Sequence, residues 1–136
     1  MNTVELTRII TENAEEISRL HARIHETFLF RGKSVMKREE WQRACAEFHA
    51  RYDILAFPGG YTNAFERIAR GDADTIETAL CFVECRPYFF RSGYMFIAIL
   101  PKLKRATLTA SQAERLNAVL LLRDQWRSAK KSKVGL

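Results

Sequence analysis

The chain has 136 residues, of which 47% are hydrophobic and 28% charged, and its formal net charge is +6. This length and balance suit one domain with a hydrophobic core, over residues 1–136, and exclude a disordered chain. Only six glycines and three prolines are present, too few for the many tight turns of a β-sandwich or β-barrel. The composition therefore predicts an all-α fold.

Helical periodicity runs through almost the whole chain and predicts about six helices joined by short loops. Thr3, Asp72, Ser92 and Thr109 are suited to cap four of them, and Thr109 forms a capping-box pattern with Gln112. The basic residues 128–136 are predicted to be a flexible tail. The predicted helices cover about 3–31, 36–54, 63–70, 73–85, 93–105 and 110–127.

Short loops make neighbouring helices antiparallel, so segments 63–70 and 73–85, and segments 93–105 and 110–127, are predicted to form two stacked hairpins. The result is a HEAT-like arrangement or an irregular bundle. Pro101 predicts a kink or an early end in the fifth helix. The apolar stripe of the second helix is predicted to be Trp41, Ala44, Cys45, Phe48 and Tyr52, and Trp126 is a candidate core residue of the last helix.

The N-terminal stretch MNTVELTRIITENAEE has acidic residues where a secretory signal peptide needs positive charge and then an apolar run. No stretch approaches about 18 uninterrupted apolar residues, so neither a membrane span nor a membrane partner is expected. Three cysteines are an odd number, which favours reduced thiols over a disulfide framework. These features predict a cytoplasmic protein.

The stretch CFVECRPYFFRSGYMF, residues 81–96, concentrates aromatic residues where one predicted helix ends at Arg86-Pro87 and the next begins. One interpretation is that these aromatics fill the corner between two helices. The other is that part of the stretch is an interface, because Tyr, Phe and Arg are favoured there. Mixed use places Phe89 inward and Arg91 outward. The candidate partner-binding residues are Tyr88, Phe90, Arg91 and Tyr94.

Asp74, Glu77 and Glu84 share a second face of the fourth helix. They are either an ordinary solvated helix face or an acidic docking surface for a basic partner. The second interpretation adds these three carboxylates to the candidate partner-binding residues.

Patterns that carry chemistry are weak in this chain, and no catalytic residue, metal ligand or cofactor is predicted. His21 with His25, and Cys81 with Cys85, have a four-residue spacing that suits a zinc site only if their helices adjoin. The sequence does not tell whether the two pairs are near each other. FPGGYTN lacks the Lys-Ser/Thr of a phosphate-binding loop, and RSG at residues 91–93 is better explained as a helix start than as an anion site.

The positive charge is concentrated at one end, because residues 101–136 hold nine Lys/Arg and two Asp/Glu. A basic segment of this kind either contacts nucleic acid or is a solvated helix end whose cations favour the helix C-terminus. The first alternative is a helical nucleic-acid-binding or regulatory module. Its candidate phosphate contacts are Lys102, Lys104, Arg105, Arg123, Arg127, Lys130, Lys131 and Lys133.

The run RPYFFRSGYM, followed by LPKLKRATLTASQAERLNAVLL, resembles small α-helical, HEAT-like bacterial immunity proteins of contact-dependent growth inhibition systems. The resemblance covers about residues 57–122. It implies a protein without enzymatic activity that binds and neutralises a cognate toxin domain, such as a nuclease, by covering its active site or substrate path. Nuclease clefts are commonly basic, so the overall basic charge departs from this expectation unless an acidic face makes the contact.

Overall fold

The computed structural model describes residues 2–134, with side chains placed for residues 2–131, and in this part of the chain it contains six helices and no strand. The predicted all-α fold is confirmed. The helices are α1 (Thr3–Phe28), α2 (Val35–Ala56), α3 (Ala64–Ala69), α4 (Ala73–Cys85), α5 (Ser92–Arg105) and α6 (Ala110–Val134).

Local capping explains where several helices begin. Asp72 accepts a hydrogen bond from the Thr75 backbone N–H at the start of α4, at 3.1 Å, as predicted. The capping box of α6 is also confirmed, since Thr109 and Gln112 each accept the other's backbone N–H at 3.1 Å. At α1 the cap is one residue earlier than predicted: Asn2 accepts the N–H of Glu5 at 2.8 Å.

Helix α4 is the centre of the bundle. Eight of its 13 residues are buried, and it packs against α1, α3, α5 and α6. The two long helices α1 and α2 form an antiparallel hairpin beside it. The fully buried side chains in the core between these helices include Ile17, Phe57, Leu80, Phe82, Ile99 and Leu103.

The predicted pairing of α5 with α6 is wrong, because α6 packs mainly on α4. Helix α5 continues through the exposed Pro101 to Arg105, so the early end that proline allowed does not occur. Helix α6 extends to Val134; residues 135 and 136 lie outside the described part, and the flexibility of residues 128–136 stays a prediction. Trp126 is 62% exposed rather than a core residue.

The apolar stripe of α2 is only partly a core. Ala44 and Phe48 are buried, whereas Trp41, Cys45 and Tyr52 are half-buried at the edge of the hairpin. Among the described residues, no helix is both long and apolar enough to cross a membrane.

Candidate binding groove at the corner between α4 and α5

The corner between α4 and α5 begins and ends with an arginine in the left-handed backbone region. Arg86, which follows α4, has φ +45°, and Arg91, which precedes α5, has φ +69°. They are the two non-glycine residues with positive φ in the described chain. Ser92 is the first residue of α5 rather than its cap: it is buried, and its Oγ accepts the Phe89 N–H at 3.0 Å. This bond closes the corner.

The aromatic residues of the corner divide between the core and the surface. Phe89 is buried, with its ring centroid 6.3 Å from that of Phe82 and 6.1 Å from that of Tyr52. Tyr88 and Tyr94 are 92% and 76% exposed, and Phe90 is 42% exposed. Phe89 is therefore buried and Arg91 exposed, as the mixed interpretation predicted, while the interface role of the exposed residues stays a prediction.

Tyr88 and Phe90 line an open groove with a volume of about 1130 Å³, whereas Tyr94 shares a smaller pocket with Phe90 and Arg91. One wall of the groove is α1, which contributes His21 and His25; the corner itself forms the floor, and Trp126 of α6 borders it. Its volume exceeds the roughly 300–1,000 Å³ of typical small-molecule pockets, and it is open to solvent. Its shape suits part of a macromolecule better than an enclosed small ligand.

On the α1 side of the groove, two histidine rings and the ring of Phe90 pack against one another. His21 stacks on Phe90 with 4.7 Å between ring centroids, and His25 meets His21 edge-on at 4.8 Å. Burial lowers the pKa of His21, and the neighbouring His25 adds to this effect. The Tyr52 hydroxyl donates a 2.6 Å hydrogen bond to the carbonyl of Phe90. These contacts fix Phe90 in place although much of its ring is exposed.

Arg86, Trp126 and His21 line the groove but were not singled out from the sequence for partner binding. The guanidinium carbon of Arg86 lies 4.4 Å from the ring centroid of Phe96 and 4.7 Å from that of Trp126. Trp126 is 40 positions away from Arg86 in the chain, so no local pattern indicates this contact. The RPYFFR motif marks the corner but not its neighbours on α1 and α6.

The predicted acidic stripe is largely bound within the molecule. Arg115 of α6 pairs with Glu77 at 2.8 Å and with Glu84 at 2.6 Å. Asp74 is exposed and makes no salt bridge within the described residues. The role of this stripe in partner binding stays a prediction, but the three residues do not form one open acidic surface.

The histidine pair and the cysteine pair, whose spacing suggested a zinc site, lie in different surroundings. Cys85 lies beside Thr7, Thr11 and Ala14 of α1, whereas His21 lies against Phe90. The described residues contain no group of three or more His, Cys, Asp or Glu arranged to hold a metal ion.

Cys81 is expected to be chemically inert. It is buried, and burial together with the charge of Glu77 raises the pKa of its thiol to about 12. The thiolate is the reactive species, so iodoacetamide at pH 8 should leave Cys81 unmodified in the native protein and alkylate it after denaturation. Peptide mass spectrometry checks this, and rapid native alkylation of Cys81 would contradict the buried placement.

The FPGG loop is built as a connection between helices. Gly59 and Gly60 have φ +88° and +93°, values that favour glycine. Arg67 of α3 donates to their carbonyl oxygens at 3.1 and 2.7 Å. The loop therefore presents backbone carbonyl oxygens to an internal arginine. A phosphate-binding loop instead presents backbone N–H groups to its anion.

Comparison of the chain with protein-family models, with curated proteins and with solved structures found no match.

Proposed function

We propose that this protein is a binding protein that recognises a partner polypeptide through the groove at the α4–α5 corner. The observation that carries the proposal is the exposure of Tyr88, Phe90 and Trp126 around one open groove, with the exposed Tyr94 next to it in a smaller pocket. Large aromatic side chains exposed together are costly in water and mark interaction surfaces. Tyr, Trp and Arg are also the residues that dominate binding energy at protein interfaces.

The more specific proposal is toxin neutralisation in the cytoplasm of the producing cell, as the resemblance of the RPYFFRSGYM region implies. Such inhibition requires no catalysis by this chain. The bound partner loses activity because the complex covers its active site or its substrate path. Fixed aromatic anchors suit this role, since side chains that are already ordered lose little entropy on binding.

A second candidate function is nucleic-acid binding, which one specific observation favours. The C-terminal half of α6 is rich in cations, and Trp126 lies on the same helix at the edge of the groove. Exposed aromatic residues beside cations are the usual means of binding single strands. This candidate predicts an affinity that falls steeply as salt rises.

The two candidates are separated by co-expressing the tagged protein with the product of its neighbouring reading frame and purifying the complex. We expect one protein at a fixed stoichiometry that survives nuclease treatment and about 0.5 M salt, where exposed charge pairs are screened. Recovery of RNA or DNA that is lost at moderate salt would support the second candidate instead. Recovery of neither would contradict both.

The groove and its border are tested by replacing two tyrosines together with alanine: Tyr88, which lines the groove, and Tyr94, which shares a smaller pocket with Phe90 and Arg91. Both are exposed, so the melting temperature should change little. Affinity for the co-purified partner should fall by about 2 kcal/mol, which is roughly 30-fold, because interface aromatics carry much of the binding energy. Calorimetry or surface plasmon resonance measures this.

A matched control is the double replacement of Val35 and Met36 by alanine. These residues are 72% and 76% exposed, but they are the first two residues of α2 and do not line the groove. Affinity should be unchanged in this variant. If both double variants bind equally well, the groove is not the interface.

A further inference from the structure

Two arginines of the groove have no hydrogen-bond acceptor or carboxylate partner in the described part of the chain. Among the described residues, neither Arg86 nor Arg91 forms a salt bridge or donates a side-chain hydrogen bond. Arg115, in contrast, is bound to two carboxylates, and Arg67 to two carbonyls. The groove thus presents guanidinium groups whose N–H donors are available to a ligand.

Both of these arginines have surroundings that limit their movement. The guanidinium of Arg86 lies over the rings of Phe96 and Trp126, which hold it by cation–π contact. Arg91 lies over the ring of Phe90, at 5.3 Å from its centroid. A guanidinium placed in this way keeps its N–H edge for a planar acceptor, and a carboxylate matches that edge with two parallel hydrogen bonds.

The backbone at these two positions adds to the argument. A left-handed conformation costs a non-glycine residue about 1 kcal/mol or more, and such residues cluster at functional sites. Here the two left-handed residues are the two arginines, one at each end of the corner. Arginine has no conformational advantage there, since Gly or Asn adopts this region more easily.

The surface around the arginines is apolar and aromatic rather than uniformly cationic. Tyr88, Phe90 and Trp126 supply flat apolar area, and Glu26 contributes a negative charge to the lining. A nucleic acid favours a continuous cationic track with ring faces open to its bases, whereas the face of Phe90 is stacked on His21. Discrete cations around apolar area fit a polypeptide with acidic and apolar side chains.

We propose that the groove binds an acidic segment of the partner protein, with carboxylates on Arg86 and Arg91 and apolar side chains on the surrounding rings. The inference rests on the proposed function and specifies the chemistry of the partner. An acidic docking stripe on α4 implies a basic partner, whereas this groove implies an acidic one. The groove contributes the positive side of the interface.

The probe is a phage-displayed library of random 12-residue peptides, selected on the full-length protein. We expect the selected peptides to be enriched in Asp and Glu together with Leu, Phe or Trp. The best of them is then synthesised with a fluorescent label, and its affinity is measured by anisotropy. An R86Q/R91Q variant should bind it at least about tenfold more weakly, because both charge-assisted bonds are lost.

The charge-matched control is K130Q/K131Q, which removes two exposed cations from α6 and should retain affinity within about twofold. Since Arg86 packs on two rings, circular dichroism and the melting temperature must show that R86Q/R91Q is folded. If R86Q/R91Q is not folded, the single variant R91Q, at an exposed position, takes its place. Its affinity for the peptide is expected to fall at least about threefold.

Three results would overturn the inference: no selected peptide, selected peptides without acidic residues, or equal affinity for the arginine variant and its control. In a fourth such result, a labelled 20-nucleotide oligouridylate binds more tightly than the peptide, and this binding depends on the same arginines. Failure of the neighbouring-gene purification leaves the peptide result standing, and failure of the peptide selection leaves that purification standing. The two proposals therefore fail separately.

Discussion

Replacing Phe82 by alanine is expected to cost about 3–5 kcal/mol of the free energy of unfolding. Phe82 is fully buried on the central helix α4, with ring centroids of Phe57 and Phe89 at 6.2 and 6.3 Å. Alanine at this position leaves a cavity between α4 and the helices packed around it, and these helices cannot all move to fill it. Denaturation in urea, followed by circular dichroism, measures the loss.

The same variant should lower the melting temperature by about 10–20 °C. Tyr88→Ala is the control, since this tyrosine is 92% exposed and its loss should cost less than about 0.5 kcal/mol. Similar destabilisation by the two replacements would mean that α4 is not the centre of the bundle. Trp41→Ala should fall between them because Trp41 is half-buried.

The second large effect is expected for Arg115→Met, which should cost about 2 kcal/mol at pH 7. Arg115 joins α6 to α4 through Glu77 and Glu84, and its removal leaves Glu77 without its cation in a site where only 20% of its side chain is exposed. Methionine keeps much of the length of the stem, so the lost ion pairs account for most of the change. Urea denaturation of both proteins gives the difference.

The pH dependence of this difference is a sharper test. Burial by itself would raise the pKa of Glu77, but hydrogen bonds from Arg115, Gln112 and Thr3, with the charge of Arg115, outweigh it and lower the pKa to about 2. A lowered pKa means that the stabilisation is complete above the unfolded value of 4.5 and is lost as the pH falls toward 2. The free-energy difference between wild type and Arg115→Met should therefore shrink over this range.

Glu77→Gln provides the check on that assignment. In this background Arg115→Met should show less of the pH dependence between 4.5 and 2, because the carboxylate whose pKa is lowered is absent and only the Glu84 pair remains. A difference between wild type and Arg115→Met that stays constant down to pH 2 would contradict the ion pair as the link between α4 and α6.

Prediction from the sequence succeeded where the determining interactions are local. The capping of α4 by Asp72 and the capping box of α6 depend on residues three positions apart, and helical periodicity depends on neighbours within one turn. The inward Phe89 followed from its place between a helix end and a helix start. The start of α5 was misplaced by one residue because Ser92 forms its hydrogen bond with the Phe89 N–H instead of a helix N–H.

Prediction failed where a partner comes from a distant part of the chain. Helix α6 is amphipathic, but its pattern does not say whether α4 or α5 receives its apolar side, so the hairpin with α5 was wrong. The carboxylates Glu77 and Glu84 have the spacing of an exposed stripe, and only the approach of Arg115, 31 or more positions away, turns them into ion pairs.

The candidate groove shows the same division. The sequence by itself determined six helices, the caps of α4 and α6 and an aromatic corner carrying arginines, since each of these arises from interactions within a few residues. The tertiary structure decided which aromatics are exposed and brought His21 and Trp126 to the corner. It also left Arg86 and Arg91 without acceptors among the residues that the structure describes. Packing decides these features, because burial and charge pairing depend on which helix faces lie against one another.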